Sequence, residues 1–355
     1  MPRTLRTYLS ILAICVSARG SYAQSLSCPV ASPAAQFNFT TIDVPGAQST
    51  FASGINNSGK VVGSFTDSAG IFHGYSDDVD NDAFRQIDFP GSTSTLGANT
   101  NNRGNIVGSY GDANSQFHGF LLRHGVFSTI DFPSAILTSS AAINDRRMIV
   151  GAYGTADSST HGYLLDENGF TTLDDPDEGI LTGANGPFTI TNVLGINDRG
   201  IVVGQFFDSN FNSHGFLFSD GSFQTIDFPG AASTFPVGLN NEAVIVGGYL
   251  DSQFVEHGYI QEKNRFTTVD FPGATGTILE QNNSRGLIVG EFTDSAGNTH
   301  SFLLRPNHGG GIGPGDSSSI GCQSLAQSNA APLQPATPLS CHTVGAKGTI
   351  ICSRP

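Results

Sequence analysis

Short apolar runs alternate with Gly- and Asp-containing turns along most of the chain, and the same order of runs returns six times. The stretch 118–133, HGFLLRHGVFSTIDFP, shows the unit. There, His124-Gly125 separates two apolar-rich runs at two-residue spacing, which is typical of a β-hairpin because Gly tolerates positive φ. This register predicts that His118 lies directly opposite Asp131, on one face of the hairpin with close Cβ atoms.

The spacing between motifs is nearly constant. In five of six copies an Asn follows the Asp of the TIDFPG-like motif by thirteen residues, and the exception, Asn197, follows a ten-residue insertion. In every copy a Gly ends an (I/V)VG run seven residues after the Asn, and a His comes ten residues after that Gly. A fixed period of about 43 residues is typical of repeat architectures.

Each copy contains four apolar runs that predict short strands. They are the GIN run (52–56 in the first copy), the VVG run (60–65), the run that begins at the His (118–122 in the second copy) and the FTTID run. Four strands in about 43 residues match one propeller blade, whereas a parallel β-helix coil is usually shorter and needs no hairpin turns. We therefore predict an all-β fold, a six-bladed β-propeller of four-stranded blades.

The two ends of the repeat region complement each other. The region begins with a lone outer strand, 39–43, and its last copy stops after the third strand, 300–304. The last blade is complete only if 39–43 joins it as the outermost strand, which closes the ring and removes exposed edges. His300 is then expected beside Asp43.

One structural His–Asp pair per blade is predicted. The pairs are His73–Asp88, His118–Asp131, His161–Asp174, His214–Asp227, His257–Asp270 and His300–Asp43. Six equivalent pairs in separate blades cannot converge on one substrate, whereas catalysis needs an asymmetric group of residues at one place. No GxSxG, HExxH or phosphate-loop motif stands in a supporting context, so no catalytic residue is assigned.

Function is expected where the copies differ. The insertion contains Asp175, Asp177 and Glu178, and carboxylates are ligands that Ca²⁺ accepts. Their spacing is not that of an EF-hand, so we favour a solvated acidic loop, with no cofactor and no metal.

The inner strands differ as well. Asn99, Glu280 and Gln281 are polar where most copies have small or apolar residues. Because inner strands border the central channel, these three side chains join those of the insertion as candidate ligand-binding residues. A water network in the channel or simple repeat drift is the alternative for them.

The segments outside the repeats differ in composition. Residues 1–23 have the basic start, short apolar run and small residues at the cleavage site of a secretory signal peptide. A lead-in (24–38), the six-repeat propeller (39–305), a Gly/Ser-rich linker (306–319) and a Cys-containing tail (320–355) follow. The tail is too short and sparse to predict a core of its own.

Cysteine usage fits export. Cys28, Cys322, Cys341 and Cys352 remain after signal cleavage, and an even count in an exported chain predicts two disulfides with three alternative connectivities. No Cys/His cluster has the spacing of a zinc site. We place the mature chain outside the cell or in the periplasm.

Charge and hydropathy exclude two classes of partner. The formal net charge is −14, which argues against nucleic acid, since nucleic-acid binding needs a basic surface. No stretch after the signal is apolar and long enough to span a membrane. We expect a monomer.

The motif set TIDFPGAxST, GINNxGxIVG and HGFLL resembles the HAF family of extracellular repeat proteins over about residues 39–305. This resemblance implies extracellular placement and brings no established activity or substrate. The chain departs from the pattern at 174–177, where DDPD replaces DFPG, and at Ser301, where HSF replaces HGF.

Three functional hypotheses follow. The first is a secreted, non-catalytic module that binds a protein or a carbohydrate through the loop-rich face, because the repetition has no reaction centre. The second is a hydrolase or lyase that works in the channel with Glu280 as acid or base. The third is a structural protein of the cell envelope without a defined ligand.

Overall fold

The computed structural model describes residues 37–81, 83–183 and 186–306 and, as backbone alone, 340–344 and 349–353. Over 37–306 it contains six antiparallel four-stranded sheets, and the first strand of each sheet contacts those of both neighbouring sheets in a closed ring. The predicted six-bladed propeller is confirmed. None of the described residues forms a helix long and apolar enough to cross a membrane.

Each blade, numbered 1 to 6 along the chain, has the same strand order from the axis outward. The first, innermost strands are β2 (Ser49–Ile55), β6 (Ser94–Thr100), β10 (Leu137–Ile143), β16 (Thr191–Ile196), β20 (Ser233–Leu239) and β24 (Gly276–Asn282). The second strands are β3 (Lys60–Thr66), β7 (Ile106–Gly111), β11 (Ile149–Gly154), β17 (Val202–Phe207), β21 (Ile245–Leu250) and β25 (Ile288–Thr293). The third strands are β4 (Phe72–Asp78), β8 (Phe117–Arg123), β12 (Thr160–Asp166), β18 (Ser213–Ser219), β22 (Glu256–Glu262) and β26 (Thr299–Pro306). The outer strands are β5 (Arg85–Ile87), β9 (Val126–Ile130), β13 (Gly169–Thr172), β19 (Ser222–Thr225), β23 (Arg265–Val269) and, for blade 6, β1 (Phe37–Thr41).

The ring closes as predicted, because β1 pairs antiparallel with β26 and places Phe39 opposite Leu304. Ser301, the departure from HGF, strengthens this closure. Its Oγ donates to the carbonyl of Thr50 and accepts from the amide of Ala52, both at 2.8 Å, and so ties blade 6 to blade 1. In the other five blades this position is Gly, and a Cβ there would come within 2.9 Å of a backbone carbonyl oxygen at the end of the blade's own outer strand, as at Gly74 with the oxygen of Ile87.

The first strands are longer than the sequence predicted. β2 begins at Ser49, three residues before the GIN run, because a β-bulge after Ala52 inserts one residue and hides the continuity of the alternation. The Gly of the VVG run lies opposite this bulge. A Cβ on Gly63 would overlap the carbonyl oxygen of Phe51, which explains why this position is Gly in every copy.

The core consists of apolar layers between neighbouring blades. In one layer, Val61 and Phe65 of blade 1 pack with Val289 and Leu303 of blade 6. The insertion between blades 3 and 4 adds a hairpin, β14 (Leu181–Gly183) and β15 (Gly186–Phe188), with a small cluster of its own. The sequence did not predict this hairpin.

Several predictions fall outside the described residues: the signal peptide (1–23), the lead-in (24–36), the linker, Cys28 and Cys322. In the tail, β27 (Ser340–Val344) and β28 (Thr349–Ser353) form an antiparallel pair. Its backbone register places Cys341 opposite Cys352, and their side chains are not among the described atoms.

Candidate functional site

The ring has two faces, which we name by their repeated residues. On the His face, the third strands begin, each with the His of its copy as second residue, and the outer strands end. The insertion also lies on this face, because it joins an outer strand to the next first strand. On the Asn face lie the turns between first and second strands, which contain the Asn of each copy.

All six His–Asp pairs are close in space. Each Nδ1 lies 2.7–3.0 Å from a carboxylate oxygen, in the pairs His73–Asp88, His118–Asp131, His161–Asp174, His214–Asp227, His257–Asp270 and His300–Asp43. Each His ring also stacks on an aromatic ring of the second strand, as His118 does on Tyr110 with centroids 5.1 Å apart. The equivalence of these contacts in every blade favours a structural role.

A second Asp that the sequence analysis missed flanks five of the six His residues. Its carboxylate lies 3.4–3.8 Å from Nε2, in the pairs His73–Asp67, His118–Asp112, His214–Asp208, His257–Asp251 and His300–Asp294. In blade 3 the equivalent residue is Thr155. The signal was available, since this Asp stands six residues before the His in five copies.

These carboxylates also hold the turn that precedes the His. In blade 6, hydrogen bonds from the side chain and amide of Asn298 hold the pKa of Asp294 at about 2. The hydrogen bond with Asp43 raises the pKa of His300 despite some desolvation. His300 therefore sits between two carboxylates that favour its protonated form.

The prediction of a solvated acidic loop is wrong for Asp175 and holds for Asp177, which is exposed. Asp175 is only 2% exposed, its Oδ1 accepts from the amide of Asp177, and its Oδ2 has no hydrogen-bond partner. Burial raises the pKa of Asp175. Glu178 accepts a 2.7 Å hydrogen bond from the Thr191 hydroxyl, and burial raises its pKa too, whereas Asp177 is exposed.

Asp175 takes a position that is Phe in four of the other blades. There the Phe stacks on an aromatic ring of the next blade, as Phe89 does on Tyr110 with centroids 3.7 Å apart. Asp175 therefore replaces an aromatic contact between blades 3 and 4. Among the residues that the structure describes, no group of three His, Cys, Asp or Glu is arranged to hold a metal ion.

On the Asn face, six Asn side chains form a closed belt of hydrogen bonds around the axis. Each Nδ2 donates to the backbone carbonyl of the next Asn at 2.8–3.4 Å, in the order Asn56, Asn101, Asn144, Asn197, Asn240, Asn283 and back to Asn56. The Oδ1 of each Asn holds its own turn, as in Asn56, which accepts from the amides of Ser58 and Lys60. The belt links every blade to its neighbours.

A small cavity of about 60 Å³ lies at the channel mouth within this belt. Asn99 and Gln281, two predicted ligand-binding residues, contribute to its lining and are 5% and 7% exposed. Gln281 Oε1 accepts from the amide of Asn282 at 2.9 Å. A polar space of this size accommodates a few water molecules rather than an organic ligand.

Glu280 does not line this cavity but belongs to a group of carboxylates shared by blades 5 and 6. It occupies the bulge of β24, Glu291 follows on β25, and Glu256 begins β22. All three are half-buried, and none makes a hydrogen bond or ion pair within the described part of the chain. Burial raises the pKa of Glu256 to about 7. Burial first, and the neighbouring carboxylates second, raise the pKa values of Glu280 and Glu291.

A larger cleft, about 240 Å³, opens on the His face between blades 2 and 3. His118 and Asp131 lie on one side of it, and Ile136 and Leu137 on the other. The other copies have small or polar residues at the Ile136 position, such as Thr93, so the cleft coincides with a break in symmetry.

Exposed apolar side chains concentrate on the His face. Of the eight large apolar residues most exposed among those described, six belong to it: Ile71, Ile136, Ile180, Phe211, Phe254 and Val255. The other two, Phe84 and Val126, stand at the start of an outer strand, on the side of the Asn face.

Charge is divided between the faces even more strongly. In the described propeller, all eleven Lys and Arg residues lie in turns and strand ends on the side of the Asn face: Lys60, Arg85, Arg103, Arg123, Arg146, Arg147, Arg199, Lys263, Arg265, Arg285 and Arg305. Ten described acidic residues share that side: Asp77, Asp78, Asp80, Asp145, Asp166, Glu167, Asp198, Asp220, Glu242 and Glu262. The His face has sixteen acidic residues: Asp43, Asp67, Asp88, Asp112, Asp131, Asp157, Asp174, Asp175, Asp177, Glu178, Asp208, Asp227, Asp251, Glu256, Asp270 and Asp294.

No family model matches the chain, so the resemblance to HAF repeats stays a prediction. No curated protein matches it either. Among solved structures, AofleA from Arthrobotrys oligospora is similar at a TM-score of 0.48 and 11% identity, over 76% of this chain and 86% of that one.

Two further structures are similar in the same range. One is the fungal lectin of Aleuria aurantia, described by its six-bladed propeller fold and fucose recognition mode (TM-score 0.45, 12% identity, 74% of this chain and 93% of that one). The other is SapL1 lectin in complex with α-methyl fucoside (0.48, 11%, 74% and 96%). Likeness at this level says nothing about the ligand of this chain.

Proposed function

We propose that this protein is a secreted, non-catalytic binding module that engages a protein or glycan ligand through its His face. The observation that carries the proposal is the concentration of exposed apolar side chains on that face. Large exposed apolar residues that share one surface are characteristic of interaction sites, because monomeric proteins otherwise keep such patches small. The six His–Asp pairs support this face as a rigid frame for the loops.

The proposal is tested by exchanging the apolar side chains. The mature chain and its F211S/F254S variant are screened against a glycan array and against immobilised protein partners. We expect the variant to lose binding at least tenfold, because Phe211 and Phe254 are 57% and 55% exposed and a partner would bury this remaining apolar area. The matched control is V126S, which changes a side chain 68% exposed away from the His face and keeps full binding.

Equal binding by all three proteins would refute a site on the His face. Failure of every glycan and protein screen would favour the third hypothesis, an envelope protein without a defined ligand.

A second candidate function, a hydrolase or lyase with Glu280 as acid or base, keeps one specific observation in its favour, although Glu280 does not line the cavity at the channel mouth. Glu280 and Glu291 are neighbouring carboxyls with raised pKa values, and such groups are suited to general acid catalysis near neutral pH. Against it, no hydrogen bond orients either carboxyl within the described residues. A substrate screen of the wild type and E280Q tests it, since an enzyme of this kind loses turnover in E280Q while keeping its fold.

A further inference from the structure

The His face carries acidic charge without any compensating Lys or Arg among the described residues. The Asn face, in contrast, has nearly equal numbers of both signs. A surface with one sign of charge attracts ligands of the opposite sign and repels those of the same sign. The division therefore favours a cationic ligand for the His face and opposes acidic glycans and nucleic acids.

The apolar residues of this face point to a protein rather than a small molecule. Phe211 and Phe254 lie on equivalent turns of neighbouring blades 4 and 5, and more than half of each side chain is exposed. Ile180 of the insertion is 68% exposed. The amide of the preceding Gly179 donates to the carbonyl of Phe207, which places the insertion beside the end of β17 and the turn that contains Phe211. The 240 Å³ cleft is smaller than the roughly 300–1,000 Å³ of usual small-molecule sites.

The geometry points to the His face as the docking surface for a positively charged polypeptide that also bears apolar side chains. This inference rests on the proposed function and adds the chemistry of the partner. Carboxylates around the apolar turns attract Lys and Arg of the partner, and Phe211, Phe254 and Ile180 receive its apolar side chains. Electrostatic attraction acts mainly on the rate of association, and apolar burial on the lifetime of the complex.

The test places lysines on either face without altering any His–Asp contact. Ser68, Ser209, Ser252 and Ser295 occupy the same exposed turn position in four blades of the His face, and none of their side chains makes a hydrogen bond in the described structure. The first variant replaces all four with Lys. The control variant places Lys at His124, Val126, Ser222 and Asn264 instead and so adds the same charge. All four positions are exposed on the side of the Asn face.

The probes are a cationic amphipathic Lys/Leu peptide, polylysine and polyglutamate, measured by surface plasmon resonance. We expect the wild type to bind both cationic probes at about 0.01 M salt and to bind roughly tenfold more weakly at about 0.15 M, where charges are screened beyond about 8 Å. The His-face lysine variant should lose roughly tenfold in association rate, and the control should match the wild type. F211S/F254S should dissociate faster from the Lys/Leu peptide and keep its affinity for polylysine. Melting temperatures of all variants confirm that they fold.

Equal losses in both lysine variants would overturn the inference, because net charge alone would then govern binding. So would preference for polyglutamate. A neutral glycan whose capture depends on Phe211 and Phe254 but not on the lysines would sustain the proposed function and refute the cationic partner. Loss of all dependence on Phe211 and Phe254 would refute both.

Discussion

On the Asn face the repeated Asn side chain of each blade hydrogen-bonds to the next blade, whereas on the His face the repeated His hydrogen-bonds to an Asp of its own blade. The belt runs from Asn56 around the axis and back through Asn283, with every side chain largely buried or half-buried. A His–Asp pair such as His118–Asp131 is half-exposed and joins the third and outer strands of one sheet. The Asn belt therefore links each blade to the next, and the His–Asp pairs hold the loops of single blades in place.

Among substitutions that test this difference, one in the Asn belt should lower the stability most. Asn283 is 3% exposed, donates to the carbonyl of Asn56 and accepts from the amides of Arg285 and Leu287. Asn283→Ala leaves these three groups without their partner, and we expect a loss of about 3 kcal/mol in the free energy of unfolding. On the His face, Asp131→Asn should cost about 1 kcal/mol or less, because half-exposed ion pairs contribute little. Chemical denaturation measures both. A larger loss in Asp131→Asn would reverse the assignment of the two faces.

The closure between blades 6 and 1 should be the next most sensitive place. Ser301→Ala removes the Oγ that bonds Thr50 and Ala52, and the buried amide of Ala52 then lacks its side-chain acceptor. We expect a loss of about 2 kcal/mol by the same measurement. Ser222→Ala, an exposed serine of an outer strand, is the matched control and should leave the stability unchanged. An unchanged Ser301→Ala variant would show that the bonded Oγ adds nothing to closure.

The group of carboxylates shared by blades 5 and 6 (Glu256, Glu280 and Glu291) belongs neither to the Asn belt nor to the His–Asp pairs, and it should respond to pH. Because burial and like charge raise the pKa of Glu291, the folded state holds a proton there that the unfolded state has lost above about pH 4.5. Stability from this proton is present at low pH and is lost as the pH rises through the folded pKa. Glu291→Gln should therefore raise Tm more at pH 8.5 than at pH 5, by several degrees, since 1 kcal/mol shifts Tm by roughly 2–4 °C in domains of roughly 150–250 residues.

The control for this prediction is Glu242→Gln on the exposed surface of the Asn face. It removes the same charge without the burial and should show no such pH dependence. A Glu291→Gln variant whose Tm gain is the same at both pH values would contradict the raised pKa.

The smallest expected effect concerns the second Asp that flanks a His on its Nε2 side. Asp294 approaches His300 Nε2 at 3.4 Å and helps to raise the pKa of His300. Asp294→Asn should lower that pKa by less than Asp43→Asn does, because Asp43 makes the larger contribution. An NMR titration of the His300 ring measures it. No change would mean that the second Asp only holds the turn.

The sequence predicted the ring, its closure and the six His–Asp contacts, because a fixed period and a two-residue hairpin turn determine which residues face each other. It did not predict the Asn belt. Asn56 and Asn101 are 45 residues apart and meet only through the radial arrangement of the blades, which no local pattern records.

The sequence also did not predict the surroundings of Glu280 and Asp175. The partners of Glu280 come from two strands of two blades, and their proximity depends on the packing angle of neighbouring sheets. Asp175 was expected in solvent because it stands in an acidic run, yet four other copies place a half-buried Phe at this position, stacked on a ring of the next blade. Alignment of this copy with the others, position by position, carries the signal for its burial.

The pairing of β1 with β26 has a kinetic consequence. The two strands are separated by almost the whole propeller in sequence, so their contact forms only after a very long loop has closed. During synthesis, blades 1 to 5 can form sheets of their own while Phe37–Thr41 remains an unpaired strand and blade 6 awaits its outer edge. We therefore expect completion of the ring to be a late step of folding, and the nascent chain to be most exposed to self-association just before it.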